Sequence, residues 1–411
     1  MTRSRAAAVP FILVVLFLDT LGIGVVLPVL PRLIASFVHG DLADGSRWFG
    51  WFGAVYAAMQ LLFAPMMGAL SDRFGRRPVI LTSLVGAGLD YVLLAFAPSL
   101  AWLFVGRVLA GITGASFSAA TAYIIDVTPV EERAKALGRA GAALALGFIC
   151  GPAIGGLVGD VHLRAPFLVA AGLNLLNLAY GAVVLPESLS REHRRPIAFG
   201  RANPFGALKA LGQTRTLLGL TGTLFLAFLA QQIVINVWAL YTQERFDWHP
   251  IDVGVSLTLV GVGGAIVQGG LVGVIVPRLG ERRSLLVGLS VGALGFVAFA
   301  LASRGWMMYA LIAPLSLGGI AGPPTQALLT REVGPSSQGE LQGSLASLNS
   351  LTAIAGPILG TRLFARFASE GALPHFPGAP FVAAALLNAG AFTLALWLFA
   401  RTPPAAPASP R

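Results

Sequence analysis

The chain has 411 residues, of which 56% are hydrophobic and only 11% are charged. Soluble domains carry about 25% charged residues, and one this apolar would expose aggregation-prone patches, so an ordinary soluble protein is excluded. The net charge of +10 would suit nucleic-acid binding by number alone, but the positions of the basic residues indicate a different role. The single cysteine, Cys150, excludes an intramolecular disulfide and a cysteine metal site.

Twelve apolar stretches are long enough to cross a membrane, because about 20 helical residues cover the hydrocarbon core. These predicted spans, numbered 1 to 12, cover 9–34, 48–70, 79–97, 101–125, 135–159, 164–185, 216–243, 251–276, 284–302, 306–330, 339–366 and 379–401. The first is not expected to be a cleaved signal, since it is too long and contains Asp19. The sequence therefore predicts an all-α membrane protein with twelve transmembrane helices.

The basic residues predict the orientation of these spans. With both termini in the cytoplasm, seven of the 28 basic residues face outward, Arg107 lies within span 4, and the other 20 face the cytoplasm. The seven are Arg32, Arg47, Arg164, Arg245, Arg304, Arg362 and Arg366. This bias obeys the positive-inside rule and predicts a multi-pass protein of the bacterial inner membrane, both termini cytoplasmic. The basic residues then serve as topology signals and lipid contacts, and no nucleic-acid partner is expected.

A long polar segment, 186–215, divides the first six spans from the last six. The predicted domains are an N-terminal six-helix bundle at 1–185, a cytoplasmic linker at 186–215, a C-terminal bundle at 216–401 and a tail at 402–411. The halves resemble each other at a constant offset, so that Gly68, Arg73, Gly75, Gly151 and Pro152 correspond to Gly273, Arg278, Gly280, Gly356 and Pro357. Such a repeat indicates internal duplication, which is typical of alternating-access transporters.

The loop between spans 2 and 3 carries the first functional motif. Its candidate gating residues are Gly68, Asp72, Arg73, Gly75, Arg76 and Arg77. Glycine permits a tight turn, and an aspartate can accept hydrogen bonds from an arginine or a helix N-terminus, forming a charged latch. A latch present in one conformation only would bias an alternating equilibrium. Asp126, at the cytoplasmic end of span 4, is expected to cap that span or contact the loop. The alternative is an ordinary basic loop that only sets topology.

Span 5 carries a pattern of small residues around a proline. Its members are Gly138, Gly147, Gly151, Pro152, Gly155 and Gly156. Proline removes a backbone hydrogen bond and bends a helix, while a stripe of glycines allows close packing against a neighbour. We expect Gly147, Gly151 and Pro152 to take part in gating; generic small-residue packing is the alternative.

Ionisable residues inside spans are costly and therefore indicate function. Asp19 lies in span 1, Asp90 in span 3 and Arg107 in span 4, and the last two are at similar depth and could meet. These three are the candidate proton-coupling residues, although Asp90 and Arg107 could instead form a purely structural ion pair. All five histidines lie in loops, so no histidine relay is expected within the membrane.

The second half has no acidic residue in the middle of a span, but it carries polar ones. The candidate substrate-cavity residues there are Gln231, Gln232, Asn236, Gln268, Gln326 and Asn349. Each could orient a substrate or simply bridge two helices. The distribution suggests proton coupling in the first half and substrate contacts shared with the second.

Together these motifs resemble the major facilitator superfamily and, within it, the bacterial tetracycline efflux transporters. The resemblance rests on Leu18-Asp19 with Gly22 and Gly24, Pro28 and Pro31, Tyr56 and Gln60, the Asp72 loop, Leu89-Asp90-Tyr91, Gly106-Arg107, Asp126, Gly151-Pro152, Val237-Trp238, Arg245-Phe246, Gln338-Gly339, Gln342-Gly343 and Gly356-Pro357. It implies the two-bundle major facilitator fold and drug/proton antiport. It also implies that Asp19, Asp90 and Arg107 are essential for transport, that Asp72 and Arg76 gate, and that Gln60 lines the cavity.

The chain departs from the tetracycline exporters at three places. Gly264 and Gly292 stand where those proteins have a histidine in helix 8 and an aspartate in helix 9. In span 4 the small-residue run after Gly114-Ala115 is replaced by Ser116-Phe117-Ser118. The histidine and aspartate are thought to serve proton coupling or recognition of a metal–drug complex, so their absence bears on the substrate.

The leading hypothesis is a proton-coupled exporter of tetracycline or a related amphipathic drug. The alternatives are an exporter of another metabolite or of several drugs, a nutrient facilitator or symporter, and a non-transporting receptor or scaffold. We find no nucleophile–base set, phosphate-binding loop or metal cluster in the sequence, so an enzyme is not expected. No cofactor or resident metal is expected, although a divalent cation could travel with the drug, and the protein is expected to be a monomer.

Overall fold

The structure is a computed structural model that describes residues 8–38, 41–114, 116–190, 192, 194, 214–333, 338–369 and 371–401. Twelve long helical segments run through this part of the chain, and no strand occurs in it. The prediction of an all-α membrane fold is confirmed. Most of the predicted linker and the whole predicted tail lie outside the described residues.

The helices are labelled α1 to α12 and correspond to the twelve predicted spans. Their bounds are Ala8–Val26 (α1), Leu42–Phe74 (α2), Arg76–Phe96 (α3), Leu100–Thr113 with Ser116–Val127 (α4), Arg133–Val161 (α5), Ala165–Val184 (α6), Arg215–Phe246 (α7), Pro250–Leu279 (α8), Glu281–Leu301 (α9), Gly305–Glu332 (α10), Gln338–Ala368 (α11) and Ala379–Arg401 (α12). Eleven are both long and apolar enough to cross a membrane, by length and composition. The twelfth, α11, has 31 residues, but serines, threonines and Asn349 lower its hydropathy.

Two helix ends differ from the predicted spans for local reasons. The first span, predicted over 9–34, ends at Val26 and is followed by a turn and a short helix, Leu30–Ala35. Pro28 accounts for this break, because a proline disfavours helical geometry in the residue before it. Pro31 lies in the first turn of the short helix, where proline is tolerated. In contrast, α2 begins six residues earlier than predicted, since the Asp41 carboxylate caps it by accepting a hydrogen bond from the Ala43 backbone N–H at 2.7 Å.

Three helices that look continuous in the sequence are interrupted near their middles. In α4 the helix stops at Gly114 and restarts at Ser116. In α8 residues 267–271 form a π-helical turn, and in α10 residues 316–321 form a 3₁₀ turn. Irregular backbone within a membrane is tolerated where other protein groups satisfy it or where it lines a cavity, so these positions are candidates for functional sites.

The described residues form two compact units. The first lies within the ranges Met1–Asn203, Asn236–Val262 and Pro357–Pro377, and the second lies within Pro204–Ile235, Gly263–Gly356 and Gly378–Arg411. The first unit thus joins the first six helices to the end of α7, the start of α8 and the end of α11. The compact units group residues that lie close together in space. The predicted halves, 1–185 and 216–401, were instead defined by the sequence repeat, so the division into these halves stays a prediction.

Inside the first unit, α1 packs against α5 through glycine. A Cβ atom added at Gly151 would lie 2.7 Å from the Gly24 Cα, and one at Gly155 would lie 2.0 Å from the Val25 carbonyl oxygen. Only residues without a side chain allow the two backbones to approach this closely. The glycine stripe of span 5 therefore has a physical role in this packing.

The same unit contains a seam between α2 and α11, which we call the outer seam because the basic residues predict that this end faces outward. The Ser46 hydroxyl donates a hydrogen bond to the Thr361 carbonyl at 3.3 Å. A Cβ atom at Gly50 would lie 3.0 Å from the Pro357 carbonyl oxygen. The outer seam thus rests on direct backbone contact between a helix of the first sequence half and one of the second.

Candidate functional site

Asp90 of α3 and Arg107 of α4 form a buried ion pair. The Arg107 Nε–H donates to Asp90 Oδ1 at 3.1 Å, and an Nη2–H donates to Asp90 Oδ2. The Asp90 side chain is 2% exposed. A Cβ atom at Gly106 would lie 2.6 Å from Asp90 Oδ1, so glycine at that position lets the carboxylate reach α4. Two parallel charge-assisted hydrogen bonds fix both side chains.

Two further side chains, both from α2, surround this pair. The Arg107 guanidinium lies 5.9 Å from the centre of the Tyr56 ring, a cation–π distance. Gln60, one helical turn later, interacts with the Tyr56 side chain. The Gln60 Nε2–H also donates to the Gly114 carbonyl at 2.9 Å. Gln60 therefore links the surroundings of the charged pair to the interruption of α4, where it satisfies the Gly114 carbonyl.

Asp19 of α1 belongs to the same group of residues. Its carboxylate, half-buried, interacts electrostatically with the side chains of Tyr56 and Tyr91. Tyr91 directly follows Asp90, and its hydroxyl would lie 3.4 Å from a Cβ atom at Gly22 of α1. We call Asp19, Tyr56, Asp90, Tyr91 and Arg107 the coupling cluster. It joins α1, α2, α3 and α4 within the first unit.

The coupling cluster combines two carboxylates, one fixed cation and two tyrosine hydroxyls. Protonation of Asp90 weakens its attraction to Arg107, and protonation of Asp19 changes its electrostatic interaction with Tyr56 and Tyr91. Each change acts on two helices at once. The structure therefore brings together all three ionisable residues singled out in the spans. Tyr56 and Tyr91 were not among the predicted coupling residues, although Tyr91 adjoins Asp90 and Tyr56 lies one helical turn before Gln60.

At the other end of α3, Arg76 binds two carboxylates. Its guanidinium lies 2.5 Å from Asp72 Oδ1 and 3.0 Å from Asp126 Oδ2, and it also donates to the Ser71 hydroxyl. Gly75 has φ of 111°, a backbone conformation that favours glycine, so the turn into α3 depends on that residue. The loop thus contains the charged latch that its sequence suggested, with Asp126 as a direct member.

Glu187, which follows α6, was not among the predicted gating residues. Its carboxylate accepts hydrogen bonds from the backbone N–H groups of Arg76 at 2.8 Å and Arg77 at 3.3 Å. These are unsatisfied donors at a helix N-terminus, where a negative charge is favourable. Next to it, the Ser188 hydroxyl donates to Asp126 Oδ2 at 3.2 Å. We call Asp72, Arg76, Asp126, Glu187 and Ser188 the cytoplasmic latch, because the basic residues predict that this end faces the cytoplasm.

Three predicted gating residues of the loop, Gly68, Arg73 and Arg77, are not members of the latch. Arg73 is exposed and its guanidinium lies 5.5 Å over the ring of its neighbour Phe74. A Cβ atom at Gly68 would meet nothing within 4 Å. Arg77 instead donates to the Ala182 carbonyl at the end of α6.

The second unit contains an ion pair related to the latch with the charges exchanged. Arg331 Nη2 lies 2.7 Å from Glu281 Oε1, joining the end of α10 to the start of α9. Arg76 and Asp126 occupy the corresponding positions of the first half, at the same offset as the repeated motifs. Gly280 has φ of 79°, matching the unusual conformation of Gly75. This agreement supports the duplication inferred from the sequence.

The predicted cavity residues of the second half differ in their surroundings. Gln231, Gln268, Gln326 and Asn349 are exposed, whereas Gln232 and Asn236 are half-buried. The Gln268 Nε2–H donates to the Gly319 carbonyl at 3.1 Å, so the π turn of α8 is tied to the 3₁₀ turn of α10. That contact is helix bridging, and it leaves the Gln268 carbonyl oxygen as an exposed acceptor.

Gly264 and Gly292, the two glycines at which the chain departs from the tetracycline exporters, also have different surroundings. A Cβ atom at Gly264 would meet nothing within 4 Å, whereas one at Gly292 would lie 2.6 Å from the Asn388 amide nitrogen. The space beside Gly292 is therefore taken by Asn388 of α12, which is 7% exposed. In α4, Phe117 and Ser118 are exposed.

The comparisons with known proteins agree with this geometry. A family model described as Major Facilitator Superfamily matches residues 12–318 and 269–411. The chain belongs to the major facilitator superfamily. This assignment accounts for twelve membrane helices, for the loop motif before α3 and for the related motifs of the two halves.

Several relatives within this superfamily carry informative names. Over 86% of this chain and 88% of the relative, it is 43% identical to the class C tetracycline resistance protein of Escherichia coli. It is 38% identical to the class B protein from Escherichia coli over 84% of this chain and 86% of that protein. It is 29% identical to multidrug resistance protein 2 of Bacillus subtilis over 85% and 86% of the two chains.

Solved structures of other transporters share the fold. The nucleoside transporter NupG matches with a TM-score of 0.79 at 12% identity, covering 95% of this chain and all of that one. The human organic anion transporter MFSD10 matches with a TM-score of 0.68 at 24% identity, covering 96% of this chain and all of that one. At these identities the comparison establishes the fold.

Proposed function

We propose that this protein exports tetracycline, or a closely related amphipathic drug, across the bacterial inner membrane in exchange for protons. The observation that carries the proposal is the identity to a named tetracycline resistance protein, 43% over most of both chains. The coupling cluster supports it, because ionisable side chains inside a membrane bundle are the usual elements of proton relays. Both termini face the cytoplasm in this proposal, as the basic residues predict, and the transport unit is a monomer without a resident cofactor or metal.

The coupling cluster accounts for proton antiport as follows. Asp19 and Asp90 are the proton sites. Arg107 holds Asp90 as a carboxylate until a proton arrives, after which the ion pair weakens and α3 and α4 are released from each other. Tyr56 and Tyr91 transmit a change at Asp19 to the same two helices and to α2. A proton and a drug thereby favour different conformations, which is the requirement for exchange.

Gating is assigned to the cytoplasmic latch and to the α5 packing. Asp72, Arg76 and Asp126 form contacts that one conformation must break, while Gly147, Gly151 and Pro152 let α5 and α1 move as closely packed surfaces. Gly68, Arg73, Gly75 and Arg77 shape the loop and its basic surface. Substrate contacts are assigned to Gln60 and to Gln231, Gln232, Asn236, Gln268, Gln326 and Asn349.

A broader or different drug range is the second candidate. It is favoured by the surroundings of Gly292, where the amide of Asn388 occupies the adjacent space. The tetracycline exporters resemble this chain here but have an aspartate in place of Gly292. This chain therefore offers no carboxylate at that position to bind a metal–drug complex. The relationship to a multidrug resistance protein of Bacillus subtilis supports the same reading. Under the leading proposal a divalent cation is cargo bound to the drug.

The function is tested with everted membrane vesicles that generate an acidic interior. Adding tetracycline with Mg²⁺ is expected to release interior protons from vesicles containing this protein, but not from vesicles without it. A panel of other cationic and zwitterionic drugs, and tetracycline without Mg²⁺, defines the range. Release by other drugs but not by tetracycline would favour the second candidate, and no release by any drug would contradict antiport.

Removing the Glu187 carboxylate is expected to weaken the latch without touching the coupling cluster. Glu187→Gln retains the size of the side chain but removes the negative charge at the N-terminus of α3, an interaction worth about 0.3–1 kcal/mol. We expect initial transport rates in vesicles to change several-fold while the protein remains folded. Glu192→Gln, which alters an exposed glutamate of the same segment, is the control. Equal rates for both variants would show that Glu187 plays no part in gating.

A further inference from the structure

A small pocket lies at the outer seam, between the start of α2 and the end of α11. It is lined by Arg47, Trp51, Ile358, Thr361 and Arg362. Neither arginine belongs to the coupling cluster or to the cytoplasmic latch. Both are among the seven basic residues that the topology places outside, where arginines are scarce. Their presence in one pocket therefore calls for a physical role other than orientation.

The other arginines predicted to lie outside include two with protein acceptors. Arg32 donates to the Trp248 carbonyl at 2.8 Å, and Arg164 donates to the carbonyls of Ala95 and Ala97, which end α3. In contrast, Arg362 has no carboxylate within 4.0 Å in the described part of the chain, and its guanidinium lies 5.8 Å over the Trp51 ring. An arginine on an aromatic ring keeps donors available for a ligand.

The second arginine of the pocket is only weakly neutralised. Arg47 lies 3.6 Å from Asp44, and the two side chains are 62% and 60% exposed. An exposed pair of this kind contributes little and competes poorly with another anion. The pocket therefore holds two guanidinium groups against one solvent-exposed carboxylate, and its local charge is positive.

The surroundings of the pocket select the class of anion. Trp48 and Leu359, which neighbour its lining residues in the chain, are 46% and 44% exposed on these membrane helices. Trp51 is 47% exposed, and tryptophan is enriched at the headgroup level of a bilayer. Guanidinium groups pair well with phosphate oxygens, and the exposed apolar side chains suit acyl chains. We infer that Arg47 and Arg362 bind the phosphodiester headgroup of an anionic phospholipid in the outer leaflet.

Such a lipid would act on the outer seam. Arg47 belongs to α2 and Arg362 to α11, and the seam between them is closed by the Ser46–Thr361 hydrogen bond and the close approach at Gly50. A headgroup that contacts both arginines binds only while the two helices are adjacent, so it stabilises the closed seam. This consequence rests on the proposed alternating access, whereas the lipid binding itself does not.

The test uses the full-length protein in nanodiscs and the fluorescence of Trp51. The probes are phosphatidylglycerol and phosphatidylcholine carrying brominated acyl chains at equal mole fraction, and the signal is the difference between the unaltered chain and Trp51→Phe. We expect brominated phosphatidylglycerol to bind beside Trp51 with a preference on the order of tenfold, from two arginine–headgroup contacts. In the variant Arg47→Gln/Arg362→Gln, both brominated lipids should quench the Trp51 fluorescence equally.

Matched variants decide between the outcomes. Arg304→Gln removes an exposed arginine on the same predicted side and should keep the preference. Arg362→Gln alone should lower the preference for phosphatidylglycerol. This single variant still tests the site if the double variant folds poorly. Equal quenching of the unaltered chain by both lipids, or a preference that survives the double substitution, would overturn the proposal. Loss of the preference on adding millimolar inorganic phosphate would assign the pocket to a soluble anion and would also overturn it.

The failure of this proposal and the failure of drug export are distinguishable. Lipid preference is measured without drug or proton gradient, so it is independent of transport. If export occurs and the preference is absent, only the lipid site is wrong.

Discussion

Replacing Arg107 with glutamine is expected to abolish proton-driven drug accumulation and to reduce the yield of folded protein. The change leaves the Asp90 carboxylate, 2% exposed, without its ionic partner. Breaking one side of a buried ion pair costs about 3–5 kcal/mol, a large part of the stability of a protein. Folded yield and thermal stability in detergent, together with drug accumulation in vesicles, measure the two effects.

The double variant Asp90→Asn/Arg107→Gln separates stability from coupling. Both charges are then absent, so we expect folding to recover relative to Arg107→Gln, while transport stays lost. Arg139→Gln, which changes an exposed arginine of α5, should affect neither quantity. A double variant that folds and still accumulates drug would show that the ion pair is structural and that protons are bound elsewhere.

Replacing Asp19 with asparagine is expected to abolish uphill transport while leaving the fold intact. Asp19 is only half-buried and interacts with Tyr56 and Tyr91, so a neutral side chain of the same shape creates no unpaired buried charge. It does remove one of the two proton sites. Exchange of labelled drug down its own gradient is expected to continue, because that process needs no proton.

Measuring drug flux with and without a proton gradient separates uphill, proton-driven transport from exchange of drug down its own gradient. In the Asp19→Asn variant the ratio of the two fluxes should fall to about one, whereas Asp160→Asn, an exposed carboxylate at the end of α5, should keep the ratio of the unaltered chain. Accumulation by Asp19→Asn at the unaltered level would remove Asp19 from the coupling cluster.

Much of this architecture could be predicted because lipid constrains membrane segments strongly. Every backbone group in the bilayer must be satisfied within its helix, so apolar length alone located the twelve helices. Depth along neighbouring spans was enough to pair Asp90 with Arg107, since the two lie on consecutive helices joined by a short loop. The duplicated glycines likewise indicated the turns at Gly75 and Gly280, which both have positive φ.

Other features depend on contacts that no local pattern encodes. Glu187 reaches the N-terminus of α3 across 111 residues of chain, and nothing around it distinguishes it from any other linker glutamate. The interruption of α4 is stabilised by Gln60, whose amide satisfies the Gly114 carbonyl from another helix. The space beside Gly292 is taken by Asn388, so the effect of that departure became visible only once α9 and α12 were packed together.

The most direct test of the account is proton movement that depends on drug in reconstituted vesicles. Purified protein is placed in liposomes containing a trapped pH indicator, and tetracycline with Mg²⁺ is added on one side, with the folded fraction measured in parallel. We expect proton flux opposite to drug flux for the unaltered chain and none for Asp19→Asn/Asp90→Asn. A well-folded double variant that still transports drug uphill from a proton gradient would contradict it.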